Sequence, residues 1–407
     1  MNQPKPEDQS RYPNQSTPDI DIWPVTHQAL SVEKREKTIE VSWDDSQKSR
    51  FHPLWLREQC PCSDCHHPVT RESIVDLLRL PENLSARDAF LDDAGYLVVS
   101  WSNDAHTGRY HPGWLRANSY DDWAQKPAKK SRVTWGEALD LTVFDGVKIL
   151  EDDGELYNWL SYLELHGLAL ASNVPTSEGT VQELAERIGV IRSSNFGTIF
   201  DVMSKPEADS NAYLTIDLPL HMDLPTRESP PGLQFLHCLK NEAEGGESQF
   251  VDTFEVARAL KVDAPEIYEI VTTVDFPFRN RAVDSDYRWQ GPLIQLDAAG
   301  NPVETRINTF LPAPILTMDN TELESALKAK NHLFKKVNES RFLKQFKMQS
   351  GDMVVFDNRR ILHARSEFFP QTGERHLQGC YMDRDELRSR LRILERRQRE
   401  KGITPVI

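Results

Sequence analysis

Apolar and polar residues alternate along two stretches in the first third of the chain, and the two stretches repeat each other. Val41-Ser42-Trp43 is followed by Phe51-His52-Pro53-Leu54-Trp55-Leu56-Arg57, and Val99-Ser100-Trp101 by Tyr110-His111-Pro112-Gly113-Trp114-Leu115-Arg116. Period-two alternation, a polar turn and an aromatic-rich continuation predict a β-hairpin that runs into a short helix in each copy. Together they predict a compact β-rich domain over residues 26–130, closed by a Lys- and Pro-containing linker from Gln125 to Ser131.

The pattern then changes. An acidic segment, Phe144 to Glu155, leads to a helical stretch from Tyr157 to Leu165, a buried strand at Gly167-Leu-Ala-Leu-Ala, and a second helix from Val181 to Ile188 that Gly189 ends. From Phe196 onward short strands separated by Gly, Pro and Asn are expected, interrupted by one helix from Glu322 to Val337. Many short strands with turn signals predict a sandwich or jelly roll. Leu387, Leu391 and Leu394 at helical spacing amid dense charge make Arg384 to Lys401 an amphipathic helix. The expected class is α+β, mainly β, with a second domain over residues 145–401.

Composition narrows the function. The chain has 407 residues, 39% of them hydrophobic, enough for two or three domains with real cores. A net charge of −15 argues against nucleic acid, because phosphate contacts need clustered Lys and Arg. Residues 1–25, rich in Gln, Asn, Ser, Pro and charge, read as a disordered leader with no signal-peptide core. No apolar run approaches the ~20 residues of a membrane span, so a cytoplasmic protein is expected.

Three of the five cysteines crowd into Cys60-Pro-Cys62-Ser-Asp-Cys65. In a reducing compartment such a cluster reads as a metal site, and tetrahedral zinc asks for a fourth ligand. His66 and His67 lie so close to Cys65 that joining the same ion would strain the loop. His111 belongs to the repeat, where its partner His52 sees no cysteines. His106 sits in the second hairpin's turn, where the first copy has Gln47, and is the expected ligand. The bland alternative is buried free thiols.

The second constellation begins at Leu218-Pro-Leu-His221-Met-Asp223. With 12 histidines and 63 acidic residues, about two His-x-acid pairs arise by chance, so context decides. In a strand, residues i and i+2 share a face, which lets His221 and Asp223 grip one ion. Downstream, Asp357-Asn358-Arg359-Arg360-Ile-Leu-His363 supplies a second imidazole, and Arg375 follows 12 residues beyond it. Two His and one carboxylate make a face for Fe(II) with open positions for a keto acid and dioxygen. The far carboxylate of the keto acid needs a bidentate cation, the role expected of Arg375, with the Ser248 hydroxyl adding a hydrogen bond. Arg359, Arg360 and Arg365 are expected at the surface or in ion pairs, Asp357 and Asn358 in fixing their own turn, and His237 and His376 as structural hydrogen-bonders.

These segments resemble the Fe(II)/2-oxoglutarate oxygenases of the double-stranded β-helix fold, and among them the gamma-butyrobetaine dioxygenases, most of all the bacterial members. The matching stretches are Trp55-Leu-Arg-Glu-Gln-Cys-Pro-Cys-Ser-Asp-Cys65, Leu218 to Glu228, Pro231 to Cys238, Asp357 to Arg365 and Arg375 to Asp383, so the likeness covers nearly the whole chain. The resemblance implies iron on His221, Asp223 and His363, 2-oxoglutarate on Arg375, structural zinc on Cys60, Cys62, Cys65 and His106, ascorbate as reductant, and a homodimer.

It also implies an aromatic cage for a trimethylammonium group, a cation without hydrogen-bond donors. The cage falls on Phe196, Phe200, Tyr213 and Tyr381, with Asn211 and Asn308 toward the substrate's carboxylate. Some members carry Tyr and Trp where Phe196 and Phe200 stand, and often Thr where Met222 stands. The implied reaction is hydroxylation of gamma-butyrobetaine at C3 to L-carnitine, with release of succinate and CO2. The rivals are the same chemistry on trimethyllysine or another betaine, a non-catalytic metal-binding scaffold, and a zinc hydrolase on the same three ligands.

Overall fold

The computed structural model describes residues 23–67, 69–70, 72–102, 104–124, 132–203, 214–315 and 318–400. Most of the expected leader, the linker, Asn211 and Tyr213 lie outside the described residues. The chain divides into two compact units, one formed by residues 1–130 with 396–407 and the other by residues 131–395.

In the first unit each copy of the repeat is one strand larger than the alternation alone indicated. Ala29–Lys34, Ile39–Trp43 and Lys48–Phe51 form one antiparallel sheet, and Ala86–Leu91, Leu97–Trp101 and Thr107–Tyr110 the other. The added strands are largely exposed and keep no strict alternation of apolar and polar residues, so period-two patterning is weak there. Helices Pro53–Glu58 and Pro112–Ala117 follow, each starting on a proline. Proline suits this position because its missing N–H would be unsatisfied anyway. The repeat-related rings of Trp55 and Trp114 stack at 5.3 Å, and the Tyr110 hydroxyl donates to the Leu56 carbonyl at 2.5 Å.

The second unit is a jelly roll. Its larger sheet runs in the order Ile199–Val202, Arg375–Met382, Leu233–Asn241, Met353–Asp357, Leu168–Ser172, Val143–Asp145, with Ile191–Arg192 also on the Arg375 strand. The smaller sheet runs Leu218–His221, Ile361–Arg365, Ser248–Asp252, Leu343–Phe346. Strand faces alternate as the pleat requires. Val354 and Phe356 meet Phe250 and Ile361 between the sheets, whereas Met353 and Val355 face helices Asp153–His166 and Thr180–Ile188 on the outside. Leu362 and Ala364 turn from the smaller sheet toward an outer layer that includes helix Asn320–Val337. Met353 to Phe356 is therefore apolar at every position, and each such buried side chain contributes roughly 1.5–3 kcal/mol.

One stretch expected as strand is helical. Thr253–Asp263 and Pro265–Thr273 are helices. The Asp252 side chain accepts from the Phe254 N–H and caps the first, and Pro265 opens the second. Val256 and Leu260 are one helical turn apart and buried with Ala257 in the outer layer, a 3.6-residue period that the preceding strand's apolar run obscured. Among the described residues no helix is long and apolar enough to cross a membrane.

Where the chain leaves the larger sheet for the smaller, Arg360 is 1% exposed and pairs with the fully buried Asp252 at 2.7 Å. Its guanidinium also donates to the carbonyls of Leu165 and Val133. Arg359 pairs with Glu304. Removing one member of a buried pair leaves the other uncompensated. Arg360→Met is therefore expected to lose about 3–5 kcal/mol in urea unfolding, and Arg360→Met/Asp252→Leu to regain most of it. An unchanged midpoint in the single variant would show that the pair carries no weight.

His237 is wholly buried in the larger sheet, where desolvation, opposed by the Val174 main chain, pulls its imidazole down to about 4. The unfolded value is about 6.5, so the folded state binds this proton less tightly than the unfolded one. Its contribution to stability is complete above pH ~6.5 and falls as pH drops toward 4. His237→Leu is expected to flatten the stability profile across that window; an unaltered slope would place the acid sensitivity elsewhere.

Candidate functional site: two His/Asp and Cys/His centres

The smaller sheet assembles the first centre. The strand Leu218–His221 pairs antiparallel with Ile361–Arg365 so that His221 stands opposite His363, and the two rings lie 4.2 Å apart. Asp223 lies just past the strand end, in a turn. Even so, its Oδ1 comes 3.4 Å from His221 Nε2 and 4.0 Å from His363 Nε2. Donors about 2.0–2.2 Å from one ion lie about 3 Å apart, so the three atoms fit a single metal.

The surroundings aim the right atoms. His221 Nδ1 donates to the Pro219 carbonyl at 2.8 Å, which leaves the Nε2 lone pair free. The Tyr381 hydroxyl donates to Asp223 Oδ2 at 2.7 Å, which leaves Oδ1 free. Burial, with His221 adding to it, pulls His363 down to about 3, so its imidazole is neutral at physiological pH and able to serve as a ligand. Burial works against the Asp223 carboxylate, but its contacts with His221, His363 and the Tyr381 hydroxyl outweigh it and hold the carboxyl below the usual range.

Met222 points the other way. It is wholly buried in the outer core with Leu220, Leu362 and Ala364, so the residue between the two ligands does not face the site. Leu224, next after Asp223, has φ of +55°, a left-handed conformation that costs a non-glycine residue about 1 kcal/mol. Arg306 holds the strained loop, donating to the carbonyls of Pro225, Arg227 and Glu228, while its guanidinium lies 3.6 Å over the Trp289 ring and pairs with Glu304.

Arg375 opens the last strand of the larger sheet and is 9% exposed. Arg365, expected at the surface or in an ion pair, is instead 6% exposed and donates to the carbonyls of Leu214 and Ile216. Both guanidiniums lie over the Phe368 ring, at 5.5 and 4.8 Å. Burial pulls each down to about 10, with the neighbouring charge of Arg365 adding to the effect on Arg375, so both remain cations that gain from an anion beside them. Ser248 is directly opposite Arg365 across the smaller sheet, on the face that also carries His363. Gly245 and Gly246 bend past this corner at φ of +76° and +71°, and a Cβ on Gly246 would sit 3.2 Å from Arg375 Nε. Arg365 was legible in principle, since it lies two residues from His363 and must share its face.

The aromatic residues form a chain of rings. Phe196 and Phe200 are 6.1 Å apart, and Phe200 and Tyr381 4.9 Å. Gly379 makes room, because a Cβ there would lie 2.6 Å from the Phe200 ring. Asn308 is occupied structurally: its Nδ2 donates to the Met222 carbonyl, and its Oδ1 accepts from the N–H groups of Phe310 and Leu311. His376 pairs with Asp201 at 2.7 Å.

The second centre lies in the first unit. His106 Nε2 is 3.1, 3.6 and 3.5 Å from the sulfurs of Cys60, Cys62 and Cys65. Tetrahedral zinc ligands lie about 3.5 Å apart, so the donor set fits. Burial pushes the Cys60 and Cys65 thiols up, so ionising them calls for a cation. Arg57 supplies part of that charge, donating to Cys65 Sγ at 3.1 Å and pairing with Asp104 at 2.6 Å, a role the sequence reading missed. Of the competing histidines, His67 Nδ1 accepts from the N–H of Thr70 and His111 packs on Tyr96, while His66 is not among the four clustered donors.

Comparison with known proteins gives the same picture. Residues 127–381 match the model of the taurine catabolism dioxygenase TauD, TfdA family, and residues 30–116 match a gamma-butyrobetaine hydroxylase-like N-terminal model. A gamma-butyrobetaine dioxygenase of Pseudomonas sp. (strain AK-1) is 44% identical over 381 residues, covering 93% of this chain and 99% of its own. The human gamma-butyrobetaine dioxygenase is 30% identical, over 91% of this chain and 98% of its own. A trimethyllysine dioxygenase of Meyerozyma guilliermondii is 26% identical, over 91% and 96%. The chain belongs to the TauD/TfdA family of dioxygenases, among the members that carry the gamma-butyrobetaine hydroxylase-like N-terminal region.

Proposed function

We propose that this protein hydroxylates gamma-butyrobetaine at C3 to L-carnitine, converting 2-oxoglutarate and dioxygen to succinate and CO2. The observation that carries the chemistry is the convergence of His221 Nε2, His363 Nε2 and Asp223 Oδ1 within one metal's reach. The substrate follows from the relative that is 44% identical over 93% of the chain. The trimethyllysine reading is supported by relatives at lower identity, such as the one at 26%.

Fe(II) bound by the triad supplies the redox chemistry that couples decarboxylation of 2-oxoglutarate to insertion of one oxygen atom into a C–H bond. Everything else is positioning by the chain. Arg375, with Arg365 beside it and Ser248 on the neighbouring strand, receives the far carboxylate of 2-oxoglutarate by charge-assisted hydrogen bonds in a dry corner. Phe196, Phe200 and Tyr381 face the trimethylammonium group with ring surfaces. Tyr213 and Asn211 complete the substrate site in the same reading. Holding the cation there presents C3 to the metal, and this orientation selects the bond that reacts.

Zinc on Cys60, Cys62, Cys65 and His106 is structural, since all four tetrahedral positions are taken by protein. A cytoplasmic homodimer that uses ascorbate as reductant belongs to the same reading, on the family resemblance.

The decisive experiment is anaerobic reconstitution with Fe(II), 2-oxoglutarate and ascorbate, then admission of air with gamma-butyrobetaine or trimethyllysine. Mass spectrometry is expected to show gain of one oxygen atom on gamma-butyrobetaine, with stoichiometric succinate, and His221→Ala is expected to abolish both. Product on trimethyllysine alone would reassign the substrate; turnover without oxygen would favour a hydrolase.

Metal analysis tests the second centre. One zinc per chain is expected, falling to none in Cys60→Ser, with unfolding of the first unit seen as a change in tryptophan fluorescence. Full zinc content in that variant would disprove the ligand set.

A further inference from the structure

We infer that Asn358 is the positioning residue of the metal-binding carboxylate, fixing where Asp223 stands relative to His363. The inference rests on the reading of the triad as a metal centre.

Asn358 sits in the turn between the strands Met353–Asp357 and Ile361–Arg365 and is 1% exposed. A residue that only closed its own turn would use its amide within that turn. All three side-chain hydrogen bonds of Asn358 leave it instead. Its Oδ1 accepts from the Asp223 N–H at 2.8 Å, while its Nδ2 donates to the Asp223 carbonyl at 3.0 Å and to the Pro231 carbonyl at 3.1 Å. Its own N–H donates to the Gly232 carbonyl at 2.9 Å. The amide therefore takes both main-chain polar groups of Asp223, as a neighbouring strand would, at the point where strand pairing has ended.

Two features explain why Asp223 needs such a clamp. The strand carrying His221 stops at His221, so Asp223 has no ladder partner to set its height. Leu224, immediately after it, is in the left-handed region, so the turn tends to relax away from the required conformation. Asn358 also lies five residues before His363, in the connection that crosses from the larger sheet to the smaller. One short buried connection thereby grips the backbone of Asp223 and leads directly into the strand that carries His363, which ties the spacing of the two donors to a single turn.

Only an amide offers acceptor and donor together at this size. Asn358→Asp keeps the shape but sets a carboxylate oxygen against two carbonyls.

The test compares wild type, Asn358→Asp, Asn358→Ala and Leu163→Ala, a core truncation in the helix Asp153–His166 that lowers stability without touching the turn. After zinc loading, Fe(II) affinity is measured anaerobically by chelator competition, and the site geometry by the visible spectrum of bound Co(II). Loss of a metal's outer hydrogen-bond partner typically weakens binding about 10- to 100-fold. That loss is expected in Asn358→Asp with a shifted Co(II) spectrum, a smaller loss in Asn358→Ala, and wild-type affinity in Leu163→Ala despite its lower melting temperature. If Asn358→Asp does not fold, Asn358→Ala decides by the same criterion. Wild-type affinity and spectrum in the folded Asn358 variants would overturn the inference. Failure of wild type itself to bind Fe(II) would instead overturn the metal reading beneath it.

Discussion

The jelly roll turns on a charge pair that water does not reach. Arg360 and Asp252, 1% and 0% exposed, meet where the chain passes from the larger sheet to the smaller. A buried ion pair contributes little net stability, because desolvation offsets most of the attraction. Its effect is directional. Arg360 needs Asp252, Leu165 and Val133 at once, and only one arrangement of the crossing, the end of the Ser248–Asp252 strand, the helix that holds Leu165 and the segment at Val133 offers all three. The reactive face of the smaller sheet is set by that arrangement, since His363 is three residues further along.

The segment from Met353 to Arg365, which crosses from one sheet to the other, thus concentrates several tasks. Val354 and Phe356 fill the space between the sheets, Arg360 locks the crossing, His363 faces the metal position and Arg365 faces the anion corner. The strand alternation explains how one short segment does this: Ile361, His363 and Arg365 point inward while Leu362 and Ala364 pack outward. The cost is dense buried polarity, and the surroundings meet it with main-chain carbonyls and the Phe368 ring.

Much of this was legible in the chain. The Cys60 cluster and His106 were found because the repeat supplied an internal control, in which a histidine present in both copies could be set aside. The convergence of His221, Asp223 and His363 was legible by joining weak local signals over long separations. What was missed required three-dimensional context. Arg365 is buried and not at the surface, as its parity with His363 requires. Asn358 was read as closing its own turn, and nothing in the sequence says that its amide reaches another strand's end. Asn308 carries hydrogen bonds to Met222, Phe310 and Leu311 that the sequence does not show. The helices from Thr253 to Thr273 were hidden because a strand's apolar run merges into theirs.

The duplicated first unit has a property that its backbone symmetry conceals. Three of the four clustered donors come from the first copy and one from the second, with Cys60 and His106 separated by 46 residues. An ion held there closes a loop across the duplication, and closing one of that length removes about 4 kcal/mol of chain entropy from the unfolded state. Neither copy owns a complete set of ligands, so neither gains from the ion alone. An ion there would therefore add to the shared core of the two copies a link that neither copy could make alone.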